Sequence, residues 1–465
     1  MIIESKRLHY FVIILLFLAF GYLIFYKLGD KPLLDYDESI YAQVARQSFE
    51  SGDHLSFKWK GNLGLYRFED WFEKPPLMIW LTEGSFAVFG INEFGARVSV
   101  AIFSLLTVGL TFYVAKKLFN SYSGALLSVA LYFIVDQWIY NSRVLQFDIP
   151  VTFFILLALF GFYLGKENSR YYFLFWTALG LGVLTKSVIG LLPMVVILIF
   201  SLLSWDFAFI KNKYFYLGGL VFVMVVLPWH LIEHIKHGKM FWEQYFYYHL
   251  LKRFSTGLEG NGRNFSFYWD ILQTYRVLFY LSITSFIYFI YRAFKSKAHL
   301  FILTSVLVIF LFFSYAQTKL EAYILPVYTF LIIMTGTTIA EITKQFLKKD
   351  ELRWALYGLV VSIFVFFGFR SNNYKLETAK NKYYDDSKSI GLFLRNNKLD
   401  QEIYYYSEIG TKPSVIFYSN RIVYFLHDMS VKPRENFLLI AEISPKYINF
   451  SYLFSTPTHT VYQVK

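Results

Sequence analysis

Three acidic residues crowd into four positions near the start of the chain, in the segment Asp35-Tyr36-Asp37-Glu38. A carboxylate at a fixed position can act as a general base. A single acid here would be explained as the cap of the amphipathic helix that the sequence predicts over residues 39–49, because Asp is a favoured N-cap residue. The dense cluster, taken with the motifs described next, instead favours an active site with Asp37 and Glu38 as catalytic candidates.

A second charged cluster, Glu73-Lys74-Pro75-Pro76, lies further along the same polar stretch. Pro is common in the first turn of a helix, so the motif is explained at minimum as a helix start. The rigid Pro-Pro would also fix Lys74 where its ammonium can hold a phosphate as a point charge. Glu73 is a candidate for substrate binding. Glu73 and His230 are candidate ligands for a divalent metal, and the metal requirement is left open.

Other polar residues stand at the ends of apolar segments, where charges are usually paired or functional. Asp148 is a second catalytic candidate, and a structural pair between Arg143 and Asp148 is the alternative. Lys186 has no adjacent acid; it either snorkels to the surface or binds a lipid phosphate, which we favour. The candidates for phosphate binding are thus Lys74, Lys186, Arg143 and Arg253, and those for substrate binding are Glu73, Tyr323 and Lys319, the last two sharing a turn that capping also explains.

The elements that position these residues are predicted to be membrane helices. The chain has 465 residues, of which 56% are hydrophobic and 22% aromatic, a composition typical of polytopic membrane proteins. It has no cysteine, which excludes disulfides and thiolate chemistry. The net charge of +12 is better explained by cytoplasmic Lys and Arg near anionic lipid than by nucleic acid binding.

A membrane-spanning helix needs roughly 20 apolar residues. The sequence predicts about eleven spans, the first of them a retained signal anchor: 8–27, 95–115, 121–140, 149–165, 171–185, 188–205, 214–232, 267–291, 299–315, 321–342 and 353–370. The apolar stretch 76–90 is predicted to be a juxtamembrane or re-entrant helix, although a full span stays open. With the N-terminus inside, every short inner loop is basic, as the positive-inside rule requires. The candidate residues then all face outward, in the cytoplasmic membrane of a bacterium.

Two domains are predicted. Residues 1–370 form the transmembrane domain, with a large outer loop at 28–94 and a second outer loop at 233–266. Residues 371–465 are richer in charge and Asn, and they predict a small α/β domain outside the membrane. Its predicted strands are Ile403–Tyr406, Ser414–Tyr418, Ile422–Leu426 and Phe437–Ile440.

With these residues placed, the chain resembles the GT-C type membrane glycosyltransferases, and more narrowly the bacterial aminoarabinose transferase and protein O-mannosyltransferase group. The resemblance covers most of the membrane region. It rests on an ordered set of short motifs: Asp37-Glu38 with Tyr41-Ala42 and Ala45-Arg46, Glu73-Lys74-Pro75-Pro76-Leu77, Phe94-Gly95-Ala96-Arg97, Arg143 with Asp148-Ile149-Pro150, Leu184-Thr185-Lys186, Leu227-Pro228-Trp229 and Tyr323-Ile324-Leu325-Pro326.

The resemblance implies a mainly α, polytopic helical bundle and an enzyme that uses a polyprenyl-phosphate-linked sugar, with inversion at the anomeric carbon. The acceptor would be a lipid such as a lipid A-like molecule, a protein or a glycan. Asp37 would match the essential acid of the first outer loop, Asp148 a second acid, and Lys74 and Lys186 contacts to the donor phosphate. Ser187 departs from the Gly that often follows this Lys in the family.

Two other classes of protein were weighed from the sequence. A transporter or lipid flippase would place charges near the bilayer midplane and often contains repeated halves. In this chain the charges gather toward one face, and the long outer loop and outer domain fit an enzyme better. A non-catalytic scaffold would have no need of Asp37, Glu73, Lys74 and Asp148 together.

Overall fold

The computed structural model describes residues 2–59, 70–258, 260–378, 382–397, 399–406, 411–426, 436–442 and 450–464. Long apolar helices dominate it. The helices as far as His237 are α1 Ile2–Phe25, α2 Asp37–Ser51, α3 Leu77–Phe89, α4 Glu93–Phe119, α5 Tyr122–Leu131, α6 Asp136–Asn141, α7 Asp148–Gly165, α8 Tyr171–Lys186, α9 Leu192–Ser204 and α10 Lys213–His237.

The segment 238–275 contains α11 Lys239–Trp242, a π-helix over Glu243–Lys252, α12 Arg253–Ser255 and α13 Phe267–Thr274. The remaining helices are α14 Arg276–Ala293, α15 Lys297–Tyr315, α16 Leu325–Phe346, α17 Asp350–Thr378, α18 Lys382–Asn396 and α19 Ser414–Ser419. Short 3₁₀ turns cover Tyr132–Ile134, Ser187–Leu191, Ala208–Lys211 and Glu321–Ile324.

Seven helical segments among the described residues are long and apolar enough to cross a membrane: Glu93–Phe119, Asp148–Gly165, Tyr171–Ser204, Lys213–His237, Lys297–Tyr315, Glu321–Phe346 and Asp350–Ser371. They contain eight of the eleven predicted spans, because 171–185 and 188–205 fall within one segment. The predicted span 8–27 contains a shorter apolar helix, Phe11–Phe25, and 121–140 breaks after Ile134. The span 267–291 is interrupted between α13 and α14. The stretch 76–90 forms the 13-residue helix α3, shorter than a span requires.

Two helices of the bundle pack closely at a point where small residues face each other. Gly336 on α16 lies against α5, and a Cβ added there would come within 2.6 Å of the backbone nitrogen of Ser128. Gly124 faces the Cα of Thr337 in the same way, at 3.1 Å from its added Cβ. Small residues let helix backbones approach closely in membranes. The contact between α5 and α16 therefore depends on these two glycines.

The C-terminal part contains a five-stranded sheet in the order β2-β1-β3-β5-β4. The strands are β1 Ile403–Tyr406, β2 Val423–Leu426, β3 Phe437–Ala441, β4 Phe450–Ser455 and β5 Thr460–Val464. Strands β2, β1 and β3 run parallel, and β5 pairs antiparallel with both β3 and β4. The prediction of a strand over Ser414–Tyr418 is wrong. These residues form helix α19, which follows Pro413 and buries its whole length.

The observed architecture confirms the predicted fold class, a mainly helical membrane bundle with a small C-terminal α/β domain. The domain boundary at residue 370 stays a prediction. Helix α17 runs through that position and continues to Thr378.

Candidate functional site

Two cavities lie side by side near the start of α2 and share one wall. The smaller, of about 270 Å³, is lined on its own side by Asp37, Tyr41, Gln146, Phe147 and Asp148. The larger, of about 740 Å³, is mostly apolar, with Ile189, Leu250, Phe254, Phe312, Phe313 and Ala316 among its lining residues. The wall common to both consists of Lys74, Lys186, Arg253 and Tyr323. Three cations therefore stand between an acidic chamber and an apolar one.

Asp37 enters the smaller cavity as the first residue of α2. The residue before it, Tyr36, has φ 65° and ψ −124°, a backbone conformation that L-residues rarely adopt. Burial, and next to it the charge of Glu73, raise the pKa of the Asp37 carboxyl to about 6. A carboxyl with this pKa is mostly ionised at neutral pH and accepts a proton more readily than an ordinary Asp.

Glu38 lies outside both cavities and anchors the loop instead. Its two carboxylate oxygens accept hydrogen bonds from Arg97 at 2.8 and 2.9 Å. They also accept the backbone N–H groups of Leu34 at 2.7 Å and Leu145 at 2.9 Å. The exposed fraction of the Glu38 side chain is 1% and that of Arg97 is 4%. This geometry gives Glu38 a supporting role, and its assignment as a catalytic residue has no geometric support.

Lys74 reaches the shared wall from the segment that precedes Pro75-Pro76. Its Nζ lies 2.5 Å from Glu73 Oε1, and Tyr41 OH lies 3.4 Å from the same oxygen. Burial raises the pKa of Glu73, but the charge and hydrogen bond of Lys74 and the charge of Arg253 lower it more, so the pKa lies below its ordinary value. Glu73 is therefore an ionised partner that holds the Lys74 ammonium in place.

Lys186 comes from the end of α8 and pairs with Asp148 at the start of α7, with Nζ 2.5 Å from Oδ1. The same ammonium lies 4.3 Å from the centre of the Tyr323 ring. The acid that Lys186 lacks in sequence is thus supplied by a neighbouring helix. Ser187 follows with φ 51° and ψ −132°, a conformation that glycine adopts without strain.

Arg253 is held at the shared wall by backbone pairing between the segment around it and the turn before α16. The N–H of Thr318 donates to the carbonyl of Arg253 at 3.1 Å, and that of Gln317 donates to Phe254 at 3.0 Å. Gly262 forms a β-bridge with Thr318. The segment that carries Arg253 and the turn that precedes Tyr323 are therefore joined by backbone hydrogen bonds.

Three other predicted residues lie away from the cavities. Arg143 donates to the backbone carbonyls of Leu23 and Ile24 at 2.8 and 3.0 Å, so the structure gives it neither Asp148 nor a place on the shared wall. Lys319 is buried and donates to the carbonyls of Ala316 and Arg263. His230 contacts the carbonyl of Val226 at 2.8 Å and Tyr245 OH at 3.1 Å.

His249 and Tyr245 line the larger cavity and were not singled out from the sequence. Burial lowers the pKa of His249 to about 3, so its imidazole is neutral at physiological pH. Its spacing of four residues from Arg253 was a usable signal, because residues i and i+4 share a helix face. Tyr41 and Gln146 carried no comparable signal.

The described residues contain no group of three His, Asp or Glu side chains arranged to hold a metal ion. Glu73 and His230, the two candidate ligands, have other partners: Glu73 binds Lys74, and His230 binds Tyr245. The residues present do not fit a metal centre, and no step is assigned to one.

The chain resembles known proteins both in sequence and in fold. Residues 73–232 match the family model described as dolichyl-phosphate-mannose-protein mannosyltransferase. An uncharacterized protein of Aquifex aeolicus is 30% identical over 334 residues, which are 70% of this chain and 63% of that protein. The undecaprenyl phosphate-alpha-4-amino-4-deoxy-L-arabinose arabinosyl transferase 1 of Pseudomonas fluorescens is 28% identical over 70% of this chain and 59% of its own length. The chain thus spans about three fifths of these relatives.

The crystal structure of ArnT from Cupriavidus metallidurans bound to undecaprenyl phosphate has the same fold. Its TM-score is 0.77 at 17% identity, and the match covers 97% of each chain. The predicted resemblance to the GT-C type group, and within it to the aminoarabinose transferases, is confirmed.

Proposed function

We propose that this chain is a membrane glycosyltransferase that moves a sugar from a polyprenyl-phosphate-linked donor to an acceptor at the outer face of the membrane, with inversion. The observation that carries the proposal is the shared wall of Lys74, Lys186 and Arg253 between an acidic cavity and an apolar one. A polyprenyl-phosphate sugar consists of a sugar, a charged phosphate and an apolar chain. These three parts follow one another in the same order as the acidic cavity, the cationic wall and the apolar cavity. Of the related proteins named above, the Pseudomonas fluorescens transferase is named for an undecaprenyl phosphate-linked sugar, and the ArnT structure holds undecaprenyl phosphate.

The donor would lie across both cavities. Its first isoprene units would contact Phe312 and Phe313 in the larger cavity, and its sugar would face Asp37 and Asp148 in the smaller one. The phosphate between them would meet the three cations. When the C1–O bond to phosphate breaks, its electron pair moves to the phosphate oxygen, and nearby cations stabilise the developing charge.

The acceptor supplies the new bond to C1. If it is a hydroxyl, its oxygen attacks C1 on the face opposite the phosphate, and Asp37 takes its proton. General base catalysis of this kind contributes roughly 10²- to 10⁴-fold. If the acceptor is a phosphate, it is already anionic, and Asp37 would orient it instead. The products are the glycosylated acceptor and polyprenyl phosphate, so atoms and charge balance.

The test is transfer by purified protein from undecaprenyl-phosphate sugars, comparing the wild type with Asp37→Asn. Asn is nearly isosteric, and α2 begins without a side-chain cap that the change could remove, so the protein should fold while transfer falls at least roughly 10²-fold. Asp53→Asn is the matched control, because Asp53 lies just beyond α2, accepts a backbone hydrogen bond within its own loop and lines neither cavity. Near-wild-type transfer by Asp37→Asn would reject the assignment of Asp37 as the general base.

The sugar and the acceptor can be identified by mass spectrometry of envelope glycolipids and glycoproteins from a deletion strain. Loss of a sugar from a lipid A-like lipid, from a protein or from a glycan would name the acceptor class. An unchanged envelope with altered transport of a lipid would instead support a transporter or flippase. None of the relatives compared above is a transporter by name.

The orientation, with the site and the C-terminal domain outside a bacterial cytoplasmic membrane, is part of the proposal. The chain contains no cysteine, so single cysteines can be introduced without background. Asn396→Cys on α18 and Lys117→Cys on α4 are both exposed. An impermeant thiol reagent on intact spheroplasts should label position 396 and leave 117 unlabelled until lysis. The reverse pattern would overturn the orientation.

A further inference from the structure

The loop that carries Asp37 is held in place by the C-terminal domain. Ser414, the first residue of α19, donates its backbone N–H and its hydroxyl to Asp35 Oδ1, at 3.2 and 2.5 Å. Four residues later, Tyr418 OH accepts the backbone N–H of Leu33 at 2.7 Å. Both contacts fall within four residues of Asp37.

The same helix is tied to the membrane domain on either side of this loop. Tyr418 OH also donates to Glu93 Oε1 at 2.9 Å, at the start of α4. Arg46, on α2, donates to the carbonyl of Phe417 at 2.8 Å. Tyr418, Arg46 and Glu93 are all buried. Polar groups buried in this way are costly to leave unpaired, so each contact constrains the position of both partners.

These contacts surround a strained backbone. Tyr36 stands between Asp35 and Asp37 with φ 65°, and a residue held in such a conformation persists only where its surroundings fix it. The contacts from α19 to Asp35 and Leu33 hold the backbone before Tyr36. The hydrogen bonds of Glu38 to Arg97 hold the backbone after it.

From this arrangement we infer that α19 sets the position of Asp37, and that Ser414 and Tyr418 are positioning residues for the transfer reaction. The inference rests on the proposed function for its catalytic part. Neither residue lines either of the two cavities described above, so each acts through the loop. A displacement of about 1 Å at a reacting group can cost roughly 10²-fold in rate. The loss of one hydroxyl from this contact should therefore be visible in turnover.

The test uses the full-length protein with Tyr418→Phe, which keeps the ring and removes only the hydroxyl. Tyr404→Phe is the matched control: it is the same change in the same domain, and Tyr404 OH donates to the exposed Glu402 at 2.8 Å. We expect kcat to fall about tenfold or more in Tyr418→Phe, while KM for the undecaprenyl-phosphate sugar stays within about twofold. Tyr404→Phe should match the wild type in both constants.

Hydrogen exchange gives a second readout that needs no turnover. Backbone amides of residues 30–40 should exchange faster in Tyr418→Phe and at the wild-type rate in Tyr404→Phe. At Ser414, we expect Ser414→Ala to lower kcat. Ser414→Thr keeps the hydroxyl and should restore kcat at least partly.

Unchanged exchange at 30–40 in Tyr418→Phe would overturn the inference, and so would faster exchange with wild-type kcat. A wild-type protein that transfers no sugar would reject the proposed function and the catalytic part of this inference with it. The exchange data would in that case still decide whether α19 fixes the loop.

Discussion

Lys186 and Asp148 are 38 residues apart in sequence, yet their side chains meet at 2.5 Å on the wall between the two cavities. The pair joins the end of α8 to the start of α7. The carboxylate of Asp148 pairs with the ammonium that we propose for the donor phosphate. Donor binding is therefore expected to redistribute the hydrogen bonds of this pair.

Lys186→Met is predicted to damage both folding and donor use. The change leaves the Asp148 carboxylate without its partner, and breaking a buried pair in this way costs roughly 3–5 kcal/mol. Adding Asp148→Asn should restore most of the thermal stability but none of the transfer at limiting donor. Lys74→Ala should likewise weaken donor use. Thermal unfolding in detergent and transfer assays measure the two effects, and wild-type transfer by both lysine variants would reject the phosphate role.

Glu38 is predicted to be structural, in contrast to Asp37 beside it. Glu38→Ala would leave the Arg97 guanidinium buried without its carboxylate, so folded yield should fall sharply, with a cost of roughly 3–5 kcal/mol. Glu167→Ala is the control. Its partner is Lys117 at 2.8 Å, and both side chains are exposed, so a much smaller loss of stability is expected. A stable Glu38→Ala protein without activity would return Glu38 to the list of catalytic residues.

The pH dependence of transfer should report Asp37. A base must be ionised, and the Asp37 pKa of about 6 predicts that kcat with a hydroxyl acceptor falls as pH drops below that value. The effect on stability has the opposite sign. Because the folded pKa is raised above the unfolded one, the stability contributed by this group is present at low pH and is lost as pH rises through about 6.

Asp37→Asn removes the ionisable group and therefore the loss of stability that accompanies its ionisation at higher pH. It should raise the melting temperature relative to wild type more at pH 8 than at pH 4, while abolishing most of the transfer. Asp53→Asn should show neither effect with this sign, because the pKa of Asp53 is lowered in the fold. A flat activity profile between pH 5 and 8 would contradict the role of Asp37 as the base.

Much of this arrangement was predictable from the sequence because it depends on local patterns. Lys74 before Pro75-Pro76 and Asp37 at a helix start are read from adjacent residues, and the helical bundle follows from apolar run lengths. Contacts between distant residues were not predictable. The Glu38–Arg97 and Asp148–Lys186 pairs form across helices, and no spacing in one chain indicates them.

The C-terminal domain also contains a segment whose secondary structure was not predictable from the sequence. Ser414–Tyr418 has the β-branched and aromatic composition of a strand, and it forms a helix because Pro413 begins a turn there and all its side chains are buried. Tertiary packing overrode local preference, as it commonly does for short apolar runs. Strands β4 and β5 were missed from the sequence.

Ser187→Gly should be tolerated and Ser187→Val should not. At φ 51° and ψ −132° a non-glycine residue carries strain of about 1–3 kcal/mol. Gly removes the strain and is expected to keep or raise the melting temperature with transfer intact. Val adds a branched Cβ in the same conformation, so both stability and transfer should fall. Equal behaviour of the two variants would show that the backbone at 187 adjusts freely.

The contact between Leu33 and Tyr418 spans 385 residues of sequence, and this separation governs when the loop can be completed during synthesis. Chains grow at roughly 5–20 residues per second, so Leu33 is made about 20–80 seconds before its partner. Over that interval the membrane helices can insert and pack, while the Asp37 loop lacks the hydroxyl that fixes it. A ribosome-bound chain that stops short of α19 would therefore hold an assembled bundle with an unfinished site. The active site would therefore be completed when the C-terminal domain folds, after the membrane helices have inserted.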